Sequence, residues 1–594
     1  MKRYKWLLDN QEIADTSILA SPLWNDCNRI ITSALGELNM KEKLKELYVP
    51  NSSFNLHRLP AFILGIQYSD YIKFSKNDDY SIIPDVNNFP ETRLTCLYGE
   101  AGIGKSTFLK YTFDVEIEEA KKKLTDNNIN YIDIVPVFLN FKHAPVNESE
   151  IENWVINTIS KEFKSLDYLN TKDVFVKIVE EDLLKYRELD IDSEIINKRK
   201  EELLISLIEN NEYYIKSLAW YIRKINQKLV LIFDNLDHHY DESYISRAIR
   251  IGQWFTHDYT STTIIALRNY NMGMLLKNLT HDLAPYNVTF DPPNLEYMFN
   301  KRLDFIKREI KKLNTLTYTI DDVALLGQGE VFEMLKSASG NNHRIILEVV
   351  RHIFKSGYLF DKKINKVRFN YIRVLRALLY ENFKVFKPNN KRADSILFNI
   401  FENEDPSYIG NWLIRLRLLQ LLENKKTTVD EQIVIEEMAI FGYHETKTIE
   451  LINNFSSLSE KLIERYTGKS IEGRQVNKVQ ISELGRLHLR LVNQIEYIDA
   501  MRSATYLPND VYEAVNKSKL YPKEFNSVNQ RIEEIYGYIN FLLEKESIEF
   551  QSIKNNNNIF NALELHKSLF TIKNYFFNKW DASLKRIREI SEEE

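Results

Sequence analysis

Leu94-Thr95-Cys96-Leu97-Tyr98-Gly99-Glu100-Ala101-Gly102-Ile103-Gly104-Lys105-Ser106-Thr107 is the stretch that decides the fold of this chain. Its first five residues form a short apolar run, the mark of a buried strand. Gly99 to Ser106 then follow the spacing G-x-x-x-x-G-K-[ST] in full. Leu109, Phe113 and Ile117 recur at i, i+4 and i+8, so a helix with one apolar face leaves the loop. A strand, a glycine-bearing turn and a helix in this order aim successive backbone amides at one point. The glycines permit the required angles, and the helix amino terminus adds about half a positive charge there. The ligand such a concavity selects is a phosphate.

The cradle is therefore expected to run through Gly99, Glu100, Ala101, Gly102, Ile103, Gly104, Lys105, Ser106 and Thr107. Lys105 would bridge the β- and γ-phosphates of ATP, and the Ser106 hydroxyl would hold Mg²⁺. The second informative stretch is Leu229-Val230-Leu231-Ile232-Phe233-Asp234-Asn235-Leu236-Asp237. An all-apolar strand is buried on both faces, which places it mid-sheet, beside the strand Leu94–Tyr98. Asp234 at its carboxyl end points into the crevice where such sheets bind ligands, as the expected partner of Mg²⁺. Asp237, about one turn further on, is the candidate for polarising the attacking water. His238 and His239 are adjacent, so their side chains diverge and a metal pair is not expected. A third apolar run, Thr262–Leu267, ends in Arg268, which would sense the γ-phosphate if this strand neighbours that of Asp234. Lys105, Asp234, Asp237 and Arg268 are thus the candidate catalytic groups.

Outward from these motifs, the strands expected are Leu94–Tyr98, Ile132–Asn140, Leu229–Phe233 and Thr262–Leu267, with a charged helical insertion over 148–227. A chain of 594 residues is too long for one core. The expected division is a helical region and linker at 1–90, a phosphate-loop domain at 91–290, a helical lid at 291–375, a winged-helix domain at 376–500 and a helical domain at 501–594. The fold class is thus an α/β nucleotide domain, a parallel sheet with helices on both faces, within a mainly helical chain. In 376–500, Trp412–Leu422, Val429–Phe441 and Glu445–Ser459 read as three helices. Leu462–Tyr466 and Lys478–Ile481 read as a hairpin around Gly468 and Gly473. Near the carboxyl terminus Phe560, Leu563, Phe570, Tyr575, Phe576, Phe577 and Trp580 read as core packing of a helical domain.

Composition excludes several classes. Net charge is -5, so whole-molecule attraction to nucleic acid or an anionic membrane is not expected. Two cysteines, Cys27 and Cys96, exclude a disulfide framework or a zinc ribbon and fit a reducing cytoplasm. No apolar run reaches the ~18 residues of a membrane span, and the first residues lack the ~7–15 apolar run of a secretory signal. A cytoplasmic protein without membrane attachment is expected.

Together these motifs resemble the signal-transducing, nucleotide-oligomerising (STAND) branch of P-loop ATPases and its AAA+ relatives of the origin-recognition kind. Asp234-Asn235-Leu236-Asp237 is similar to the D-G-L-D form of Walker B in that branch, and Ile134–Leu139 to its apolar second strand. The resemblance implies that Arg268 is the arginine of the sensor strand. It implies that Arg344, in Gly340-Asn341-Asn342-His343-Arg344, is a second sensor reaching the nucleotide from the lid. Asn235 stands where origin-recognition ATPases carry a glutamate, which puts catalysis on Asp237 or leaves a switch that binds more than it hydrolyses. The family's winged helix either docks on the ATPase or touches DNA. The third helix here, with Glu445, Lys447 and Glu450, has no basic excess, and only Lys469, Arg474 and Lys478 cluster, so docking is expected over DNA contact. The resemblance further implies an ATP-driven switch or motor subunit that self-assembles or serves a separate effector, possible service in antiphage defence included. The alternatives are a DNA-handling initiator or transposition regulator, and a scaffold that binds nucleotide without turnover. Arg247, Arg250 and Arg302 are the candidates for an arginine acting across subunits.

Overall fold

The computed structural model describes residues 22–36, 38, 40–50, 59–66, 94–188, 193–236, 241–268, 286–313, 319–320, 322–361, 366–381, 399–401, 412–457, 461–469, 475–505, 507–517, 528–554 and 571–593. They fall in two compact units, Glu37–Met298 and Met1–Gly36 with Phe299–Glu594.

The unit Glu37–Met298 is built on five strands: β1 (Leu94–Tyr98), β2 (Asp133–Asn140), β3 (Gln227–Asp234), β4 (Thr262–Leu267) and β5 (Tyr286–Thr289). They pair in the order β2-β3-β4-β1-β5, all parallel. β1 and β4 are buried along their whole length and β3 along its last six residues, because helices cover both faces. The period of two divides them cleanly. Leu97, Val230, Ile232, Ile264 and Ala266 face Phe108, Leu109, Phe113 and Ile117 of the helices after the glycine turn. Cys96, Tyr98, Leu231, Phe233, Ile265 and Leu267 face the other core, with Val155, Ile159, Ile215, Leu218, Ile245 and Ile249. The helix after the turn, Lys105–Tyr111, passes through one π turn, Thr112–Glu116, before continuing as Ile117–Asp126. Four helices fill the connection from β2 to β3: Ile151–Lys164, Lys172–Glu188, Ser193–Glu209 and Asn211–Lys224.

One expectation is corrected here. β3 does not lie beside β1; β4 separates them. An apolar run shows that a strand is central, but its neighbours are set by crossovers that leave no mark on the strand itself. β5 was not expected at all. Its Val288 is buried between exposed Asn287 and Thr289, as befits a strand at the sheet edge, and four residues are too few to show a period.

In the other unit, helix Pro22–Leu35 packs against helix His343–Phe354. A winged helix follows: helices Ile414–Lys425, Glu431–Ile440 and Glu445–Ser457, the antiparallel hairpin Ile463–Lys469 with Gln475–Ile481, and helix Glu483–Leu491. Val429–Asp430, expected inside the second helix, is a third strand of the hairpin sheet. β-Branched Val429 pairs with Val479, and Asp430 opens the helix behind it. Arg490 of the last helix donates to Ser337 Oγ at 2.6 Å, which ties the winged helix to helix Gly329–Ala338. Arg417, fully buried, joins the winged helix to helix Val528–Lys554 through Glu546 at 2.7 Å and Glu549 at 2.8 Å. Trp580 is buried and donates Nε1 to the Val492 carbonyl at 2.8 Å, whereas Phe577 is exposed. Phe560, Leu563 and Phe570 lie outside the described residues. No helix among the described residues is long and apolar enough to cross a membrane.

Candidate functional site

β1 delivers the chain into its turn at Gly99. A side chain there would meet Ile103 Cδ1 at 2.5 Å and the Phe290 carbonyl at 3.3 Å, so anything larger than glycine requires these neighbours to give way. Gly102 and Gly104 have φ of +78° and +106°, the left-handed region that glycine enters without cost. Gly104 caps the helix, its carbonyl accepting the Phe108 N–H at 2.9 Å. The turn is thereby wound so that the first helical amides point outward from the sheet edge.

Lys105, 8% exposed, folds back over the turn. Its Nζ donates to the Gly99 carbonyl at 2.6 Å and the Glu100 carbonyl at 2.9 Å. The ammonium is thus held at the mouth of the loop by neutral acceptors that an anion's oxygens outcompete. Next along the helix, Ser106 Oγ donates to Asp234 Oδ1 at 2.9 Å, across 128 residues of sequence. These two oxygens fit a magnesium ion. Magnesium takes oxygen ligands in octahedral geometry at about 2.0–2.1 Å, which places adjacent ligands about 2.9 Å apart. Asp234 is 9% exposed.

No protein-family model and no curated protein matches the sequence. The chain is similar to solved structures of several proteins. Among them are the Orc1 protein of Aeropyrum pernix in complex with DNA (10% identity, 77% of this chain and 95% of that one, TM-score 0.28), Cdc6p of Pyrobaculum aerophilum (14%, 80% and 98%, 0.30) and the Orc2 protein of A. pernix in its ADP form (10%, 78% and 100%, 0.34).

The other candidate residues fall as follows. Arg268 comes directly after Leu267, whose carbonyl accepts the Gly99 N–H at 3.1 Å, so it leaves β4 level with the start of the turn and is half-buried. Because β4 adjoins β3, the condition set for its role is met. Asp237, His238 and His239 lie outside the described residues. Arg344 belongs to the other unit, near the start of helix His343–Phe354, and pairs with Glu348 at 3.0 Å. Among the arginines weighed for action across subunits, Arg247 pairs with Glu152 at 3.2 Å and Arg250 donates to the Ser246 carbonyl. Arg302 is not available for that role. It is 7% exposed and caps helix Pro22–Leu35, donating Nη1 to the Ala34 and Gly36 carbonyls at 2.7 and 3.2 Å. Burial alone pulls its guanidinium down to about 10. Of the basic hairpin residues, the side chain of Lys469 and the whole of Arg474 are outside the described set, while Lys478 lies 3.9 Å from Asp430.

Sequence reading missed Asn140. It ends β2 in register with Asp234 at the end of β3. Its Oδ1 accepts from Asn235 Nδ2 at 2.9 Å, and that same nitrogen lies 3.3 Å from Asp234 Oδ2. The one available signal was a polar residue closing an apolar strand, the same signal that marks Asp234.

Proposed function

We propose that the unit Glu37–Met298 binds Mg·ATP and hydrolyses it, and that the protein is a nucleotide-driven switch or motor subunit. The observation that carries this reading is the 2.9 Å approach of Ser106 Oγ to Asp234 Oδ1 beside a buried lysine on a left-handed glycine turn. On nucleotide binding Lys105 exchanges the Gly99 and Glu100 carbonyls for β- and γ-phosphate oxygens, and the turn's amides take the rest. Ser106 and Asp234 would hold the ion, whose charge would offset that of the phosphates. Arg268, leaving β4 level with Gly99, stabilises the terminal phosphate, and Asp237 orients the water. By the resemblance, Arg344 is a second sensor carried by a lid at 291–375, which a winged-helix domain at 376–500 and a helical domain at 501–594 follow. Assembly of copies, or a separate effector protein, converts the nucleotide state into action. Service in antiphage defence rests on resemblance alone.

Phosphate release and ATP binding by wild type and Lys105→Ala test this. Turnover that survives the substitution sinks the ATPase reading; tight binding without any turnover leaves the scaffold reading. A second reading, handling of duplex DNA, is supported by the winged-helix shape. Against it, Lys447 on the third helix is paired with Glu450, and Arg465 of the hairpin with Glu431. Binding to duplex that weakens steeply with salt would favour it.

A further inference from the structure

The carboxyl ends of β2 and β3 bring Asn140, Asp234 and Asn235 together. Asp234 only accepts hydrogen bonds, so the Asn235 side chain at 3.3 Å from its Oδ2 must present the amide nitrogen there. The same nitrogen is 2.9 Å from Asn140, which therefore accepts through Oδ1. Asn140 is fixed in turn by the Lys142 N–H, which its Oδ1 accepts at 3.2 Å. Asn235 has φ of +60°, a left-handed conformation that asparagine and aspartate tolerate better than other side chains, and its own N–H donates to Asp234 Oδ1 at 2.9 Å. The place next to Asp234 is thus filled by a neutral amide whose side-chain nitrogen serves two acceptors. An amide takes up no proton near neutral pH, so it cannot act as a general base; a carboxylate in the same place could.

We propose that the Asn140–Asn235 pair makes this a holding site: it positions Asp234 for the cation and withholds base catalysis beside it, so bound ATP persists long before it is cleaved. This deepens the ATP-binding reading and rests on it. Asn235 is held against Asp234 by Asn140, which acts as a positioning residue. Substitution Asn235→Asp keeps the shape and the left-handed angle while adding a proton acceptor, and Asn140 donates to it by turning its amide over at the expense of the longer of its two bonds, that from the Lys142 N–H at 3.2 Å. Asn140→Leu removes that support at nearly constant volume.

The experiment uses the full chain and four variants: Asn235→Asp, Asn140→Leu, the double variant, and Lys105→Ala as control. Affinity and dissociation rate of a fluorescent ATP analogue are measured with magnesium and in EDTA, alongside phosphate release. Asn235→Asp should release phosphate at least about tenfold faster, a modest share of the 10²–10⁴ that a positioned base supplies, with affinity within about threefold of wild type. The double variant should lose most of that gain. Asn140→Leu alone should weaken binding with magnesium more than binding in EDTA, a difference that general destabilisation does not produce. Unchanged or slower turnover in Asn235→Asp at unchanged affinity overturns this inference alone. If that variant folds poorly, equal effects of Asn140→Leu with and without magnesium overturn it instead. Wild type that does not bind ATP, or Lys105→Ala that binds it as tightly as wild type, overturns the parent reading as well.

Discussion

Lys105 spends its charge on two carbonyls of its own turn, and each of those carbonyls is neutral. Exchanging them for phosphate oxygens gives the ammonium anionic acceptors in place of neutral ones, a net gain of roughly 1.5–3 kcal/mol in all. Lys105→Ala should therefore weaken Mg·ATP binding by roughly 10- to 100-fold. The turn should persist, since its winding comes from Gly102 and Gly104 and not from the lysine. Calorimetric titration checks the first statement and melting without nucleotide the second; ATP affinity equal to wild type would refute the phosphate assignment. Ser106→Ala should weaken binding with magnesium and leave binding in EDTA unchanged, because the hydroxyl faces Asp234 and not the turn. These residues were legible in the sequence because phosphate chemistry fixes both residue type and spacing within eight positions. Asn140 was not legible. Its partner Asn235 is 95 residues away, and nothing in either local pattern ties the two together.

At the scale of elements, β1 to β4 were readable as apolar runs, while the order of the sheet was not, because order is set by crossovers. The winged helix was readable from three amphipathic helices and a hairpin, except for Val429–Asp430, where two residues are too few to show a period. Packing inside that domain leaves a titration signature. His488, on helix Glu483–Leu491, is fully buried with its Nδ1 2.6 Å from the Tyr497 hydroxyl. Burial pulls its pKa from 6.5 down to about 3. Between these values the unfolded chain binds the proton and the folded chain does not, so stability is full above pH 6.5 and falls as pH drops toward 3. The slope is about 1.4 kcal/mol per pH unit, or about 2 kcal/mol lost by pH 5 from this group. Comparing chemical denaturation of wild type and His488→Gln from pH 7 to 4.5 isolates it, since all other titrating groups are common to both. The two curves should converge as the pH falls; parallel curves would mean that His488 is not held neutral. Arg417 is the second buried group with a measurable consequence. Arg417→Leu leaves Glu546 and Glu549 buried without their cation and should cost roughly 3–5 kcal/mol.

For the whole molecule the open question is whether one chain completes its own site. Arg302 is excluded as an arginine acting on a neighbour, because it is buried against the Ala34 and Gly36 carbonyls. Arg247 remains eligible. Its ion pair with Glu152 has both side chains 44% exposed, so the pair holds it weakly and a phosphate on a neighbouring copy could take it away. Helix Glu242–Asp258, which carries Arg247 and Arg250, starts shortly after the Asp234 strand and packs against β4, so these arginines travel with the site's own scaffold. An arginine supplied by a second subunit is worth roughly 10³–10⁵ in the rate of phosphate cleavage. Specific activity should therefore rise with protein concentration, and the mass in solution should be larger with a non-hydrolysable ATP analogue than with ADP. Arg247→Ala should remove the concentration dependence while leaving ATP affinity within about threefold, because the group it supplies is felt by the neighbour's nucleotide and only after assembly. Light scattering beside phosphate release, at several protein concentrations, decides the matter. A constant monomer with constant specific activity would leave a self-contained ATPase whose stabilising arginine is in cis, and Arg268, level with Gly99 at the end of β4, is then the residue to replace first.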